Sequence, residues 1–135
     1  MGMILITGST GCIGRAVVER LTTAGHSVKL LWHWNHERPV PRRVTIMGGD
    51  VRQPDTLKAA LTEDGEVDTV IHLASTRRET DDGGFDDVNV QGTQNVIQAC
   101  RDHKVGRLIT VSCLGAEIRS PYPLQRSIGR AEEMV

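Results

Sequence analysis

The sequence predicts an α/β domain in which a doubly wound parallel sheet of five strands carries helices on both faces. Three observations lead there. Strand-like and helix-like segments alternate along the chain, the pattern of parallel strands joined by crossover helices. Strand-like runs such as Met3-Ile4-Leu5-Ile6 are continuously apolar, as strands covered on both faces must be. A glycine-rich turn, with Gly8, Gly11 and Gly14 spaced three apart, joins the first strand to the first helix.

Each element follows from local chemistry. The first helix, 14–24, stops at Gly25, a residue suited to a helix C-terminus. A second strand is expected at 27–32. The stretch 33–43 contains two prolines and no periodicity, so it reads as loop. A short third strand, 44–47, closes on Gly48-Gly49-Asp50. Pro54 opens a helix running to about Leu61, with Asp55 near its positive end. The fourth strand is 68–73. The longest helical pattern, 85–103, repeats Val88, Val96, Ile97 and Cys100 at helical spacing. A fifth strand is expected at 105–112 and a last helix at 124–135. Right-handed crossovers with the first strand central give the order 3-2-1-4-5, which brings the turns after all strands to one edge.

With 135 residues the chain has material for one domain, 1–135. A formal net charge of −1 gives no reason to propose nucleic acid or an anionic membrane surface as partner, and 3% aromatic content argues against base-stacking platforms. No apolar run approaches the roughly 20 residues that span a bilayer. Neither a secretory signal nor metal-type cysteine spacing is visible. Cys12, Cys100 and Cys113 suit a reducing, cytoplasmic setting.

A strand that runs into a glycine turn and opens a helix is a phosphate cradle, because the helix N-terminus offers unpaired N–H groups and positive potential. Gly8 is expected to permit the tight turn, Gly11 the close approach of phosphate, and Gly14 the packing of helix on strand. Ser9 and Thr10 add hydroxyls, and Cys12 and Ile13 complete the loop. The glycine spacing is G-x-x-G-x-x-G, not the G-x-G-x-x-G of the dinucleotide fingerprint. After the second strand, where a carboxylate usually holds a ribose hydroxyl, the chain reads His33-Trp34-Asn35-His36-Glu37-Arg38, with Arg42 and Arg43 beyond. His33, Trp34 and Arg38 beside a cofactor without a strand-end carboxylate favour a 2′-phosphate, hence NADP over NAD, although Glu37 could still reach a ribose.

Five segments in order resemble the short-chain dehydrogenase/reductase superfamily in its extended or atypical branch of epimerase-like and nitrogen-regulator-like proteins. They are Thr7-Gly8-Ser9-Thr10-Gly11-Cys12-Ile13-Gly14, Gly49-Asp50-Val51, Val70-Ile71-His72-Leu73-Ala74, Asn89-Val90-Gln91-Gly92-Thr93-Gln94-Asn95-Val96 and Ile109-Thr110-Val111-Ser112. The resemblance covers nearly the whole chain. It implies a Rossmann-type fold with a dinucleotide cofactor. Asp50 and Val51 would flank the adenine, while Leu73, Ala74, Ser75 and Ser112 would line the nicotinamide end. His72, inside a strand, is expected to be a satisfied buried imidazole, and Cys12 and Cys113 are read as small apolar fillers. The acidic run Glu79, Asp81, Asp82, Asp86 and Asp87 lacks the alternating ligand order of a calcium loop and reads as a solvated loop near a helix N-terminus.

Relatives of this kind polarise a carbonyl with Ser and move a proton through a Tyr-x-x-x-Lys pair. Ser112 matches the Ser, but the pair is missing. One register places Leu124 and Ile128 at the Tyr and Lys positions and is favoured by the following Ala131-Glu132-Glu133. The other pairs Tyr122 with Arg126. The expectation is therefore a NAD(P)-binding protein with a degenerate catalytic pair, regulatory or the cofactor half of a longer reductase or epimerase. Its alternatives are an active oxidoreductase using Ser112, Tyr122 and Arg126 on a small-molecule substrate, and a redox-sensing interaction module. Relatives continue with further strands and a substrate lobe, so the fifth strand is expected as a sheet edge that a second copy, forming a homodimer, or more chain would cover.

Overall fold

The structure is a computed structural model that describes residues 2–33, 40–81 and 83–135. Its strands are β1 (Met3–Thr7), β2 (Val28–Trp32), β3 (Val44–Gly48), β4 (Val67–His72) and β5 (Arg107–Thr110). Its α-helices are α1 (Cys12–Thr23), α2 (Pro54–Thr62), α3 (Gly92–Asp102) and α4 (Pro123–Met134). The strands form one parallel sheet in the order β3-β2-β1-β4-β5, the predicted Rossmann-type order.

Side-chain alternation along buried strands splits the core in two. Ile4, Ile6, Val28, Leu30 and Trp32 pack with Val18 of α1 on one face. Leu5, Leu31, Val67 and Val70 meet Leu57, Ala60 and Leu61 of α2 and Val96 and Cys100 of α3 on the other. Burying each of the larger aliphatic side chains contributes roughly 1.5–3 kcal/mol. Burial pushes the Cys100 thiol up to about 11, so it remains a neutral filler. Lys29 is the exception in the core: fully enclosed, it donates through Nζ to the carbonyls of Ala60 (2.9 Å) and Glu63 at the C-terminal end of α2. Burial lowers its pKa, against the opposing pull of Asp64 and Glu63.

Several boundaries shift by a residue or two, α1 opening at Cys12 rather than Gly14 so that Cys12 and Ile13 belong to its first turn, and two elements differ further. The fifth strand spans four residues, Arg107–Thr110, not 105–112. Val105 N–H is taken by the Cys100 carbonyl at the end of α3, and the pairing with β4 ends at Thr110. The long helix 85–103 opens with a wide π-helical turn, Asp86–Gln91, before α3. Asn89 lies in that turn, almost wholly buried, with its carboxamide turned to partners outside the helix. Such turns insert an extra residue and often sit beside functional sites. Among the described residues, no helix is long and apolar enough to cross a membrane.

Candidate functional site

The carboxyl ends of the strands open into a cleft of about 920 Å³, near the upper end of the usual range for ligand sites. Its floor is the turn between β1 and α1. Gly8 has φ +71°, and a Cβ there would lie 2.4 Å from Ala74 N, so only glycine lets β1 and β4 close side by side. A Cβ on Gly14 would meet the Gly8 carbonyl at 2.3 Å, so the start of α1 is packed on the turn itself. At Gly11 the nearest obstacle is 3.5 Å away, leaving the backbone bare toward the cleft. The turn presents backbone at the N-terminus of a twelve-residue helix, the arrangement that suits an anion.

Of the glycine-turn residues, Gly8, Thr10, Gly11, Cys12, Ile13 and Gly14 line the cleft. Ser9 does not. It is buried, and its Oγ accepts from Trp32 Nε1 at 2.9 Å, which ties the turn to the end of β2. Beyond β2, His33 lines the cleft, while Trp34, Glu37 and Arg38 lie outside the described residues. Arg43, a cation noted in the same loop, donates to the Gly25 carbonyl at 2.8 Å.

Asp50 and Val51 line the cleft at the end of β3. Asp50 is the hub of a cluster that pairwise spacing did not suggest. Its Oδ1 accepts from Arg52 N–H at 2.9 Å, and its Oδ2 accepts from Arg52 Nη2 at 2.6 Å. His33 Nε2 lies 2.9 Å from the same Oδ2. Burial alone would raise the Asp50 carboxyl, but the Arg52 hydrogen bonds and the nearby cation and imidazole outweigh it and hold the group below the ordinary carboxylate range. The signal for Arg52 was its place two residues after an aspartate at a strand end, where the side chain can bond back over an Asx turn.

The β4 end supplies Leu73, Ala74, Ser75, Thr76 and Arg77. Behind them runs a buried polar chain. Thr93 Oγ donates to the Asn89 carbonyl at 2.7 Å, so it must accept from His72 Nε2–H at 3.0 Å. That leaves His72 Nδ1 to accept from Thr7 Oγ at 2.7 Å, while Thr7 Oγ accepts from Ala74 N–H at 3.2 Å. The imidazole is thus neutral with one fixed tautomer, and burial lowers its pKa to about 4. Asn89 Oδ1 accepts from Thr76 N–H at 2.8 Å, and its Nδ2 donates to the Thr76 carbonyl and to Ser127 Oγ, each at 3.0 Å. One carboxamide therefore fixes the cleft wall and α4 together.

At the β5 end, Val111, Ser112, Cys113 and Leu114 line the cleft, joined by Leu124, Gln125 and Ile128 from α4. Leu124 and Ile128 are the two residues at the Tyr and Lys places of the first register. Tyr122 and Arg126 are not brought to the cleft lining: Tyr122 is 66% exposed, and Arg126 Nη1 donates to the Ser120 carbonyl at 2.8 Å. Ser112 Oγ donates to Glu132 Oε2 at 2.5 Å, a pair hidden by a separation of 20 positions in the sequence. Glu79 Oε1 accepts from Phe85 N–H and Asp87 Oδ2 from Gly84 N–H at the opening of the π turn, and Asp86 pairs with Arg130 at 2.8 Å. Asp82 lies outside the described residues. Among those described, no group of three or more potential metal ligands converges.

The sequence resembles NADH dehydrogenase [ubiquinone] 1 alpha subcomplex subunit 9, mitochondrial, of Arabidopsis thaliana, at 30% identity over 96% of this chain and 34% of that protein. It is 32% identical to 2-alkyl-3-oxoalkanoate reductase of Stenotrophomonas maltophilia over 90% of this chain and 36% of the relative. Among solved structures, UDP-glucose 4-epimerase of Thermus thermophilus in complex with NAD matches with TM-score 0.81 at 24% identity, covering 98% of this chain and 49% of that one. Uronate dehydrogenase of Agrobacterium tumefaciens, in a mutant complexed with NAD, gives TM-score 0.81 at 21% identity over 99% and 54%. The chain thus spans about a third of the length of these curated relatives and about half of these solved chains. The model of the NAD dependent epimerase/dehydratase family matches residues 4–127, nearly the whole of the sheet and almost all of the cleft lining, and the chain belongs to that family.

Proposed function

We propose that this chain is the dinucleotide-binding domain of a short-chain-type protein, preferring NADP over NAD, in which the proton-transfer pair is degenerate. The observation that carries the reading is the bare backbone of Gly11 facing a roomy cleft at the start of α1. A dinucleotide bound there supplies hydride chemistry; the chain's part is to hold its phosphates, seat its adenine near Val51 and enclose its nicotinamide end. The NADP preference draws on His33 at the end of β2 in place of a carboxylate, with the Arg52 guanidinium alongside. The degenerate pair draws on Leu124 and Ile128, apolar residues at the two proton-transfer places, and on Ser112 being engaged by Glu132. Such a domain serves either as the cofactor half of a longer reductase or epimerase or as a regulatory homologue. The open side of β5 is the edge that a second copy, or further chain of a longer protein, would cover.

Calorimetric titration tests this. NADPH is expected to bind more tightly than NADH, and Gly11→Asp to abolish binding of both. Equal affinities would remove the NADP preference; a Gly11→Asp chain that binds normally would remove the site. With NADPH and a panel of carbonyl compounds the chain should show no turnover. Turnover that disappears in Tyr122→Phe would instead establish Tyr122 and Arg126 as the working pair.

A further inference from the structure

The glycine turn has no cation of its own: between Thr7 and Gly14 there is no Lys, Arg or His. A helix N-terminus offers the equivalent of about half a positive charge, whereas a diphosphate diester carries two negative ones. Among the described residues, the ionisable side chains lining the cleft that carry a full charge are Asp50, Arg52 and Arg77, with the His33 imidazole alongside. His33 and Arg52 are drawn together around the Asp50 carboxylate. Arg77 differs from them. It is exposed on the cleft wall, and no hydrogen bond or ion pair with a described residue engages its guanidinium.

Its backbone, in contrast, is firmly held. Thr76, the residue before it, has both backbone polar groups taken by the buried Asn89 carboxamide. Thr76 Oγ donates to the Arg78 carbonyl at 2.9 Å, so the residue after it is pinned as well. Ala74, three residues earlier, lies against Gly8 and is fastened to Thr7 Oγ. Three residues span at most about 10 Å, so a long arginine side chain from this position, which lines the same cleft, is within reach of the glycine turn. A fixed backbone carrying an unengaged cation beside an anion cradle is a preorganised counter-ion, since little backbone freedom is left to lose on binding.

We infer that Arg77 closes over the diphosphate of the bound dinucleotide from the β4 side of the glycine turn, supplying the charge that the turn lacks. This rests on the reading that the cleft takes a dinucleotide. The contact is a charge-assisted hydrogen bond to phosphate oxygens shared by NAD and NADP, so it sets affinity for both without choosing between them.

The test is calorimetric titration of the 135-residue chain with NADH and with NADPH, at low and high salt, for the unaltered chain, Arg77→Gln and Arg77→Lys. Arg77→Gln is expected to weaken both cofactors alike, by about tenfold, and to flatten the salt dependence. Arg77→Lys should recover part of the loss, and the melting temperatures should coincide because the side chain is exposed. Normal binding by Arg77→Gln would overturn the inference while leaving the dinucleotide reading intact. A loss confined to NADPH would also overturn it, by moving Arg77 to the 2′-phosphate. If the unaltered chain binds neither cofactor, the dinucleotide reading itself fails and the inference falls with it.

Discussion

His72 shows how one buried side chain can set the acid limit of the molecule. Its ordinary pKa of 6.5 falls to about 4 in the fold because burial penalises the imidazolium. The unfolded chain therefore binds more protons between those two values, and stability must fall as pH drops from 6.5 toward 4, with no further loss from this group below that. The full effect is about 3 kcal/mol. Urea unfolding at a series of pH values should show this slope, and His72→Gln should lower stability near neutrality but flatten the slope. An unchanged slope in the variant would place the acid sensitivity elsewhere. The sequence made His72 legible as a satisfied core imidazole, since a histidine inside an apolar strand needs partners. Which partners it has was not legible, because Thr7 and Thr93 lie 65 and 21 residues away. The same holds for Ser9. Its hydroxyl looks available in the glycine turn, yet the Trp32 indole claims it from the neighbouring strand.

Among the elements, β2 and α2 are joined by a device that hydropathy misreads. Lys29 interrupts an apolar strand and suggests an exposed position, but it is fully buried and holds carbonyls at the end of α2. A lysine there complements the negative end of the helix and satisfies acceptors that the helix cannot. Lys29→Met keeps the length and removes the donors, so it should cost about 1–3 kcal/mol in chemical denaturation. A neutral result would mean that water replaces the ammonium. Strand and helix existence was legible throughout, because the apolar runs and the breakers at Gly25, Pro54 and Gly48-Gly49 leave little freedom. Boundaries were less so. The π turn at Asp86–Gln91 carries Asn89, whose bonds to Thr76 and Ser127 leave no mark on helical periodicity.

For the whole molecule, the sheet order was legible from the alternation of elements and handedness alone, and it brought the right strand ends to one cleft. The Asp50–Arg52–His33 cluster and the Ser112–Glu132 pair were not, since each needs side chains from separate elements to converge. The two faces of the sheet are also unequally clothed. Helix α1 packs on β1 and β2, while on the same face Ile109 and nearby Val111 remain 41% and 50% exposed at the β5 side. A bare edge with apolar neighbours favours self-association. Sedimentation of the chain should show mass rising with concentration, and Ile109→Lys with Val111→Lys should hold it monomeric without loss of stability. A monomer at all concentrations would exclude pairing through β5. Trp32, finally, has its indole in the cleft wall, hydrogen-bonded to the turn that the phosphates would touch. Reduced nicotinamide absorbs where indole emits, so if a reduced dinucleotide fills the cleft as proposed, its arrival can be read as quenched tryptophan light, with Trp34→Phe isolating the Trp32 signal, without attaching a label.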